Sequence, residues 1–142
     1  MKATSSSAGY SGTPLARKLG IAEGARIHVI DPPRAYDAIV DPLPGRVVMT
    51  KRVDASTDLV HAFVLAKARL ARVLAATRAA MRADCVVWVS WPKKASGVAT
   101  DVTEDVIRQV ALPMGLVDVK VCAVDETWSG LKLMIRKGSR VQ

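Results

Sequence analysis

The sequence predicts an α/β domain built on a mostly parallel sheet of five to six strands, with helices on both faces and a C-terminal antiparallel hairpin. Three observations carry this. Runs of β-forming residues alternate with helical periodicities along the chain, the order that produces right-handed parallel crossovers. The run Cys85-Val-Val-Trp-Val-Ser-Trp91 is almost wholly apolar, as a central strand covered on both faces requires. The last two apolar runs are joined by a short polar connection that suits a hairpin. Together these describe a Rossmann-like sheet.

The elements follow in order. Residues 1–8 are polar and serine-rich and read as a tail, residues 9–138 as one domain, and residues 139–142 as a second tail. Thr13 is placed to cap a short helix with Pro14 at its first position and Gly20 at its end. Arg26 to Asp31 reads as a strand, stopped by Pro32-Pro33, which cannot donate to a ladder. A short helix follows from Arg34 to about Val40, then a short strand at Val47-Val48-Met49 and a longer one from Leu59 to Leu65.

The longest helix is expected over Ala66 to Arg82, where Leu70, Val73, Leu74, Thr77 and Met81 form one apolar stripe. After the central strand, Asp101 with Glu104 reads as a capping box for a helix that Pro113 and Gly115 end. Val117 to Val124 and Leu131 to Ile135 are the closing strands. Trp88 and Trp91, three apart on a strand, are expected on opposite faces.

Composition limits the function classes. At 142 residues, half of them hydrophobic, the chain has the common length of one domain and enough apolar surface for a core without staples. Cys85 and Cys122 lie inside apolar runs, form no CxxC pair and have no histidine at ligand spacing, so they read as buried thiols and no metal site is expected. No apolar stretch approaches the ~20 residues that span a bilayer, and no signal peptide opens the chain, which points to a cytoplasmic protein. The formal net charge of +8 favours an anionic partner.

Two resemblances add to this. Leu59–Leu65, Ala66–Arg82, Val86–Pro92, Val102–Leu112 and Gly115–Val121 resemble, in order and texture, the second half of a class I S-adenosylmethionine methyltransferase. The first half departs from that pattern. Ile30-Asp31-Pro32-Pro33-Arg34 stands where a glycine-rich turn would let backbone approach the cofactor. The second strand ends Met49-Thr50-Lys51-Arg52, without an acidic residue for a ribose. No intact S-adenosylmethionine or NAD motif is present. The blocks GYSGTPLARKLGI from Gly9, WVSWPKK from Trp88 and VDVKVCAVDETWSGLK from Val117 resemble the signature blocks of a bacterial domain-of-unknown-function family over about Gly9 to Arg136.

Ligands of open α/β sheets settle outside the carboxyl ends of the strands. That rule gathers Asp31, Trp91, Lys93, Lys94, Ser96, Asp125, Glu126, Trp128 and Ser129 on one rim. Lysines beside a Ser-Gly turn suit an anion, and tryptophans supply a flat wall for a ring. The competing structural reading places one tryptophan in the core, Trp128 over the hairpin end, and Asp125 or Glu126 in a clamp with Lys93 or Lys94. An acidic group of Asp31, Asp125 and Glu126 requires the sheet to bring them together. His28 and His61 fall within strands, where a satisfied histidine is the ordinary outcome.

Lys67, Arg69, Arg72, Arg78 and Arg82 lie off the apolar stripe of a helix with no acidic residue. They form either a solvated face or a weak nucleic-acid surface. The leading expectation is therefore a non-catalytic domain that binds a small anionic or nucleotide-like ligand at the rim. A divergent methyltransferase is the enzymatic alternative, and a nucleic-acid accessory protein using residues 66–82 is the third.

Overall fold

The structure, a computed structural model, describes residues 12–137; the expected tails and the start of the Gly9 block lie outside the described residues. Ten principal elements follow one another. They are α1 (Leu15–Leu19), β1 (Arg26–Ile30), α2 (Tyr36–Val40), β2 (Val48–Met49), β3 (Leu59–Phe63), α3 (Lys67–Ala80), β4 (Val86–Pro92), α4 (Glu104–Ala111), β5 (Leu116–Ala123) and β6 (Trp128–Ile135). The six strands form one sheet in the order β2-β1-β3-β4-β6-β5. β1 through β4 are parallel neighbours, and β6 inserts antiparallel between β4 and β5.

The alternation read in the sequence separates two cores. One face packs Leu70 and Leu74 of α3 and Ile107 and Ala111 of α4 against Val60, Val87, Val89, Leu131 and Leu133. The other packs Leu15 and Leu19 of α1 and Tyr36 and Val40 of α2 against Ile27, Leu59, Phe63 and Trp88. Each fully buried Leu or Ile contributes about 1.5–3 kcal/mol. Trp88 and Trp91 point to opposite cores, as their spacing predicts. The indole N–H of Trp88 donates to the Leu19 carbonyl at 2.9 Å, so the last turn of α1 is fixed to the central strand. α1 closes with Gly20 at φ 80° and Ile21 N–H donating to the Ala16 carbonyl, a left-handed stop that favours glycine.

Several boundaries differ from the sequence expectation, each for a local reason. The N-cap of α1 is Pro14 rather than Thr13. α2 begins at Tyr36, and α3 ends at Ala80, because Met81 turns extended and its side chain is buried in the core. Thr103, not Asp101, caps α4, its hydroxyl accepting Val106 N–H. Asp101 instead caps α3 from outside, accepting Lys67 N–H at 2.7 Å. β6 starts at Trp128 rather than Leu131, so the hairpin turn is confined to 124–127.

The parallel connection from β2 to β3 spans only residues 50–58 and contains no helix, although it passes over β1. Val53 packs on the core beneath α3, which places this crossover on the α3 face. Asp54 shapes it by accepting Ser56 N–H at 2.8 Å and Ser56 O–H at 2.6 Å, while Thr57 Oγ accepts Asp54 N–H. Asp58 anchors its end by accepting Arg26 N–H at 2.7 Å and an Arg82 guanidinium N–H at 2.7 Å. The Arg26 amide is the first cause of the lowered Asp58 pKa.

Candidate functional site

The chain leaves β1 through α2 toward β2 on one face, and leaves β3 through α3 toward β4 on the other. The connections therefore diverge between β1 and β3. In open α/β sheets that divergence opens a crevice at the carboxyl ends of the strands. Here the end of β1 is flanked by two crevices, one on each face.

The crevice on the α3 face has a volume of about 530 Å³. Its floor is Ile30, Val53 and Val73, and its walls carry Lys51 and Arg52 from the crossover and Arg69 and Arg72 from α3. His28 also lines it. His28 Nδ1 lies 2.9 Å from the Thr50 carbonyl, which only accepts, so Nδ1 carries the proton and Nε2 is left for another partner. The crevice on the α2 face, about 420 Å³, is lined by Val29, Pro32, Pro33, Arg34, Tyr36, Asp37, Met49 and Thr50. Both volumes fall in the range of small-molecule sites.

Asp31 stands between the two in the left-handed region, at φ 53°, followed directly by Pro32 and Pro33. Its carboxylate accepts Arg69 Nε–H at 3.1 Å. Its carboxylate is therefore engaged with a cation at the tip of β1, while Asp125 is used in the β5–β6 turn. Among the described residues no group of three or more His, Cys, Asp or Glu side chains is placed to hold a metal ion. Cys85 is buried and desolvation pushes its thiol up to about 11; Cys122 is half-buried and also raised by desolvation.

The rim after β4 is built mainly from turn contacts. Lys93 N–H donates to the Thr127 carbonyl at 2.7 Å, which ties the loop after β4 to the hairpin. Asp125 Oδ1 accepts Thr127 and Trp128 N–H, both at 2.8 Å, and shapes the β5–β6 turn. Ser96 Oγ donates to the Lys93 carbonyl and accepts Val98 N–H, closing a single 3₁₀ turn at Lys94–Ser96. Trp91 is buried against the α3–α4 core, and Ser129 pairs with it across β4 and β6. Trp128 packs edge-on against Phe63 with ring centroids 5.0 Å apart. Lys94 and Glu126 are exposed, and among the described residues neither lysine makes an ion pair, so the expected clamp is absent.

The basic helix is not a uniform stripe. Arg82 lies beyond the end of α3 and bridges Asp58 at 2.7 Å and Asp84 at 2.5 Å. Arg78 donates to the Met114 carbonyl, Lys67 N–H meets Asp101, and Arg69 meets Asp31. Carboxylates and carbonyls from neighbouring elements thus meet the guanidinium groups of Arg69, Arg78 and Arg82, whereas the Lys67 contact is through its backbone amide. Arg72 remains at the crevice.

One polar chain was not legible in the sequence. Tyr36 OH lies 3.0 Å from His61 Nδ1, and His61 Nε2 lies 2.8 Å from Ser90 Oγ. The Ser–His pair has the spacing of a nucleophile and base, yet both residues are fully buried. Desolvation lowers His61 to about 3, so the ring is neutral at physiological pH. The network is satisfied and sealed, which makes it part of the core.

The sheet, its inserted antiparallel strand and the helices on both faces make this a Rossmann-like fold of the methyltransferase type. No family model matches the sequence, and no curated protein matches it. Solved structures share the fold. An S-adenosylmethionine-dependent methyltransferase from Aquifex aeolicus has a TM-score of 0.58 at 11% identity, covering 85% of this chain and 87% of that chain. A tRNA methyltransferase from B. subtilis has a TM-score of 0.56 at 10% identity, covering 89% and 67%. Fibrillarin from Aeropyrum pernix, solved with natively bound S-adenosylmethionine, has a TM-score of 0.51 at 14% identity, covering 89% and 70%. At these identities the likeness is one of fold. No helix among the described residues is long and apolar enough to cross a membrane.

Proposed function

We propose that this chain is a small-molecule-binding protein of the methyltransferase fold, holding a nucleoside-type ligand at the carboxyl end of β1 without performing methyl transfer. The observation that carries this is the pair of crevices flanking the tip of β1 at the point where the connections diverge. The residues there are unlike those of a cofactor loop. Pro32 and Pro33 hold the backbone where glycines would let it close on a ligand, and Lys51-Arg52 follow β2 where a ribose-binding carboxylate would stand. S-adenosylmethionine carries a sulfonium and an ammonium against a single carboxylate, and this net positive charge is poorly matched to walls of lysine and arginine.

A second reading, S-adenosylmethionine-dependent methyl transfer, is favoured by the fold likeness to methyltransferases over 85–89% of the chain. A third, ligand capture at the β4–β6 rim, draws on exposed Lys94 and half-buried Lys93 and Trp128. Thermal unfolding with adenosine, ADP, S-adenosylmethionine and S-adenosylhomocysteine separates them. A ligand at ~100 times its Kd stabilises by about 2.7 kcal/mol, a rise of several degrees in Tm. Stabilisation by ADP or adenosine supports the proposal. Stabilisation by S-adenosylmethionine and S-adenosylhomocysteine alone transfers the case to methyl transfer, and no response to any of them removes the small-molecule reading.

A further inference from the structure

The crevice on the α3 face concentrates positive charge with no carboxylate in its lining. Asp31 and Asp54 approach Arg69 and Arg52 from outside, at 3.1 and 3.8 Å. Among the described residues Lys51 and Arg72 have no carboxylate within ion-pair distance. The backbone fixes where the four cations are attached. Arg69 and Arg72 are three residues apart on α3 and share a face. Lys51 and Arg52 leave from a loop base pinned by Thr50, whose N–H donates to the Ile27 carbonyl at 2.7 Å and whose hydroxyl donates to the Arg52 carbonyl at 2.9 Å. Like charges held near one another are relieved by an anion.

We propose that this crevice binds the di- or triphosphate group of a nucleotide, an assignment that rests on the strand-end reading above and specifies its ligand. Guanidinium forks match phosphate oxygens two at a time, and a lysine ammonium adds a point charge. His28 lines the same crevice, and among the described residues its Nε2 has no hydrogen-bond partner. The phosphates occupy the α3 face, and the nucleoside passes over the tip of β1 toward Pro32, Tyr36 and Met49 on the other face. A polynucleotide fits less well, because the crevice offers no Phe, Tyr or Trp on which bases could stack.

Isothermal titration at fixed ionic strength tests this with ADP, inorganic triphosphate, adenosine and a short single-stranded oligonucleotide. The proteins are the parent chain, Arg72→Gln and Lys51→Gln; both side chains are exposed, so the variants retain the fold, checked by circular dichroism. ADP and triphosphate are expected to bind, each substitution weakening them about tenfold while leaving adenosine unchanged. If adenosine binds but the phosphates add no affinity and Arg72→Gln is silent, the crevice assignment fails and the strand-end reading stands. If nothing binds, both fail. An oligonucleotide that binds more tightly than ADP and depends on Arg72 assigns the crevice to a phosphodiester backbone and overturns the nucleotide proposal.

Discussion

Arg69 donates its Nε–H to the Asp31 carboxylate at 3.1 Å, joining the first turn of α3 to the tip of β1. The pair sits where the two crevices meet. It fixes a residue held at positive φ, and it partly neutralises the wall on which Arg72 makes no ion pair among the described residues.

Asp31→Asn keeps a residue that tolerates the left-handed region but removes the negative charge. Both partners are about half exposed, so the stability change stays within ~0.5 kcal/mol. Affinity for ADP is expected to rise about two- to fivefold, read by titration. Weakened binding would mean that Asp31 itself serves the ligand.

Burial of His61 predicts a pH dependence. The unfolded ring takes up a proton near pH ~6.5, whereas the folded ring does so only at about 3. Between these values the unfolded state binds more protons, so stability rises with pH across this window and is complete above it. The loss between pH 8 and pH 4.5 is about 2–3 kcal/mol from this group. The lowered carboxylates of Asp54, Asp58, Asp84 and Asp118 act at lower pH, losing their contribution as pH falls through their depressed values. Urea unfolding of the parent and of His61→Gln should give a flatter profile for the variant between pH 6.5 and 4.5; parallel profiles count against this origin.

Gly130 sits in close approach to its neighbours. A Cβ there would lie 3.2 Å from Val124 Cγ2, 3.3 Å from Trp88 Cε3 and 3.5 Å from Ser90 Oγ. Gly130→Ala is expected to cost about 1–3 kcal/mol, lowering Tm by several degrees in calorimetry. An unchanged Tm would show that β6 shifts freely against β4.

Asp101 offers a test of capping from a distance. Asp101→Ala leaves Lys67 N–H at the start of α3 without its acceptor and is expected to cost about 1 kcal/mol, roughly 2–4 °C in Tm. Asp101→Asn should retain most of that. Equal losses for both would place the effect in charge rather than in the hydrogen bond.

The fold was readable because its signals are local. The stripe Leu70, Val73, Leu74, Thr77 is buried as its spacing requires, and the apolar run around Trp88 forms the covered strand. The capping box at Asp101 misled because an aspartate in a loop serves whichever helix end its carboxylate reaches. Here the nearest orphan amide belonged to Lys67, far away in sequence. The rim was located by strand order, yet burial of Trp91 and the turn bonds of Asp125 and Ser96 are matters of packing that order does not encode. The cationic crevice needs Lys51-Arg52 and Arg69–Arg72 to meet across a crossover without a helix. Each pair was visible alone, and their meeting was not.

Amide chemical-shift mapping on a ¹⁵N-labelled sample titrated with ADP tests the location of the ligand most directly. The account predicts perturbations clustered at Asp31 and Arg34, at 50–53 and at 69–77, with little change at Lys93–Gly97 and Asp125–Ser129. Perturbations confined to those last two segments would return the site to the β4–β6 rim and contradict the assignment to the tip of β1.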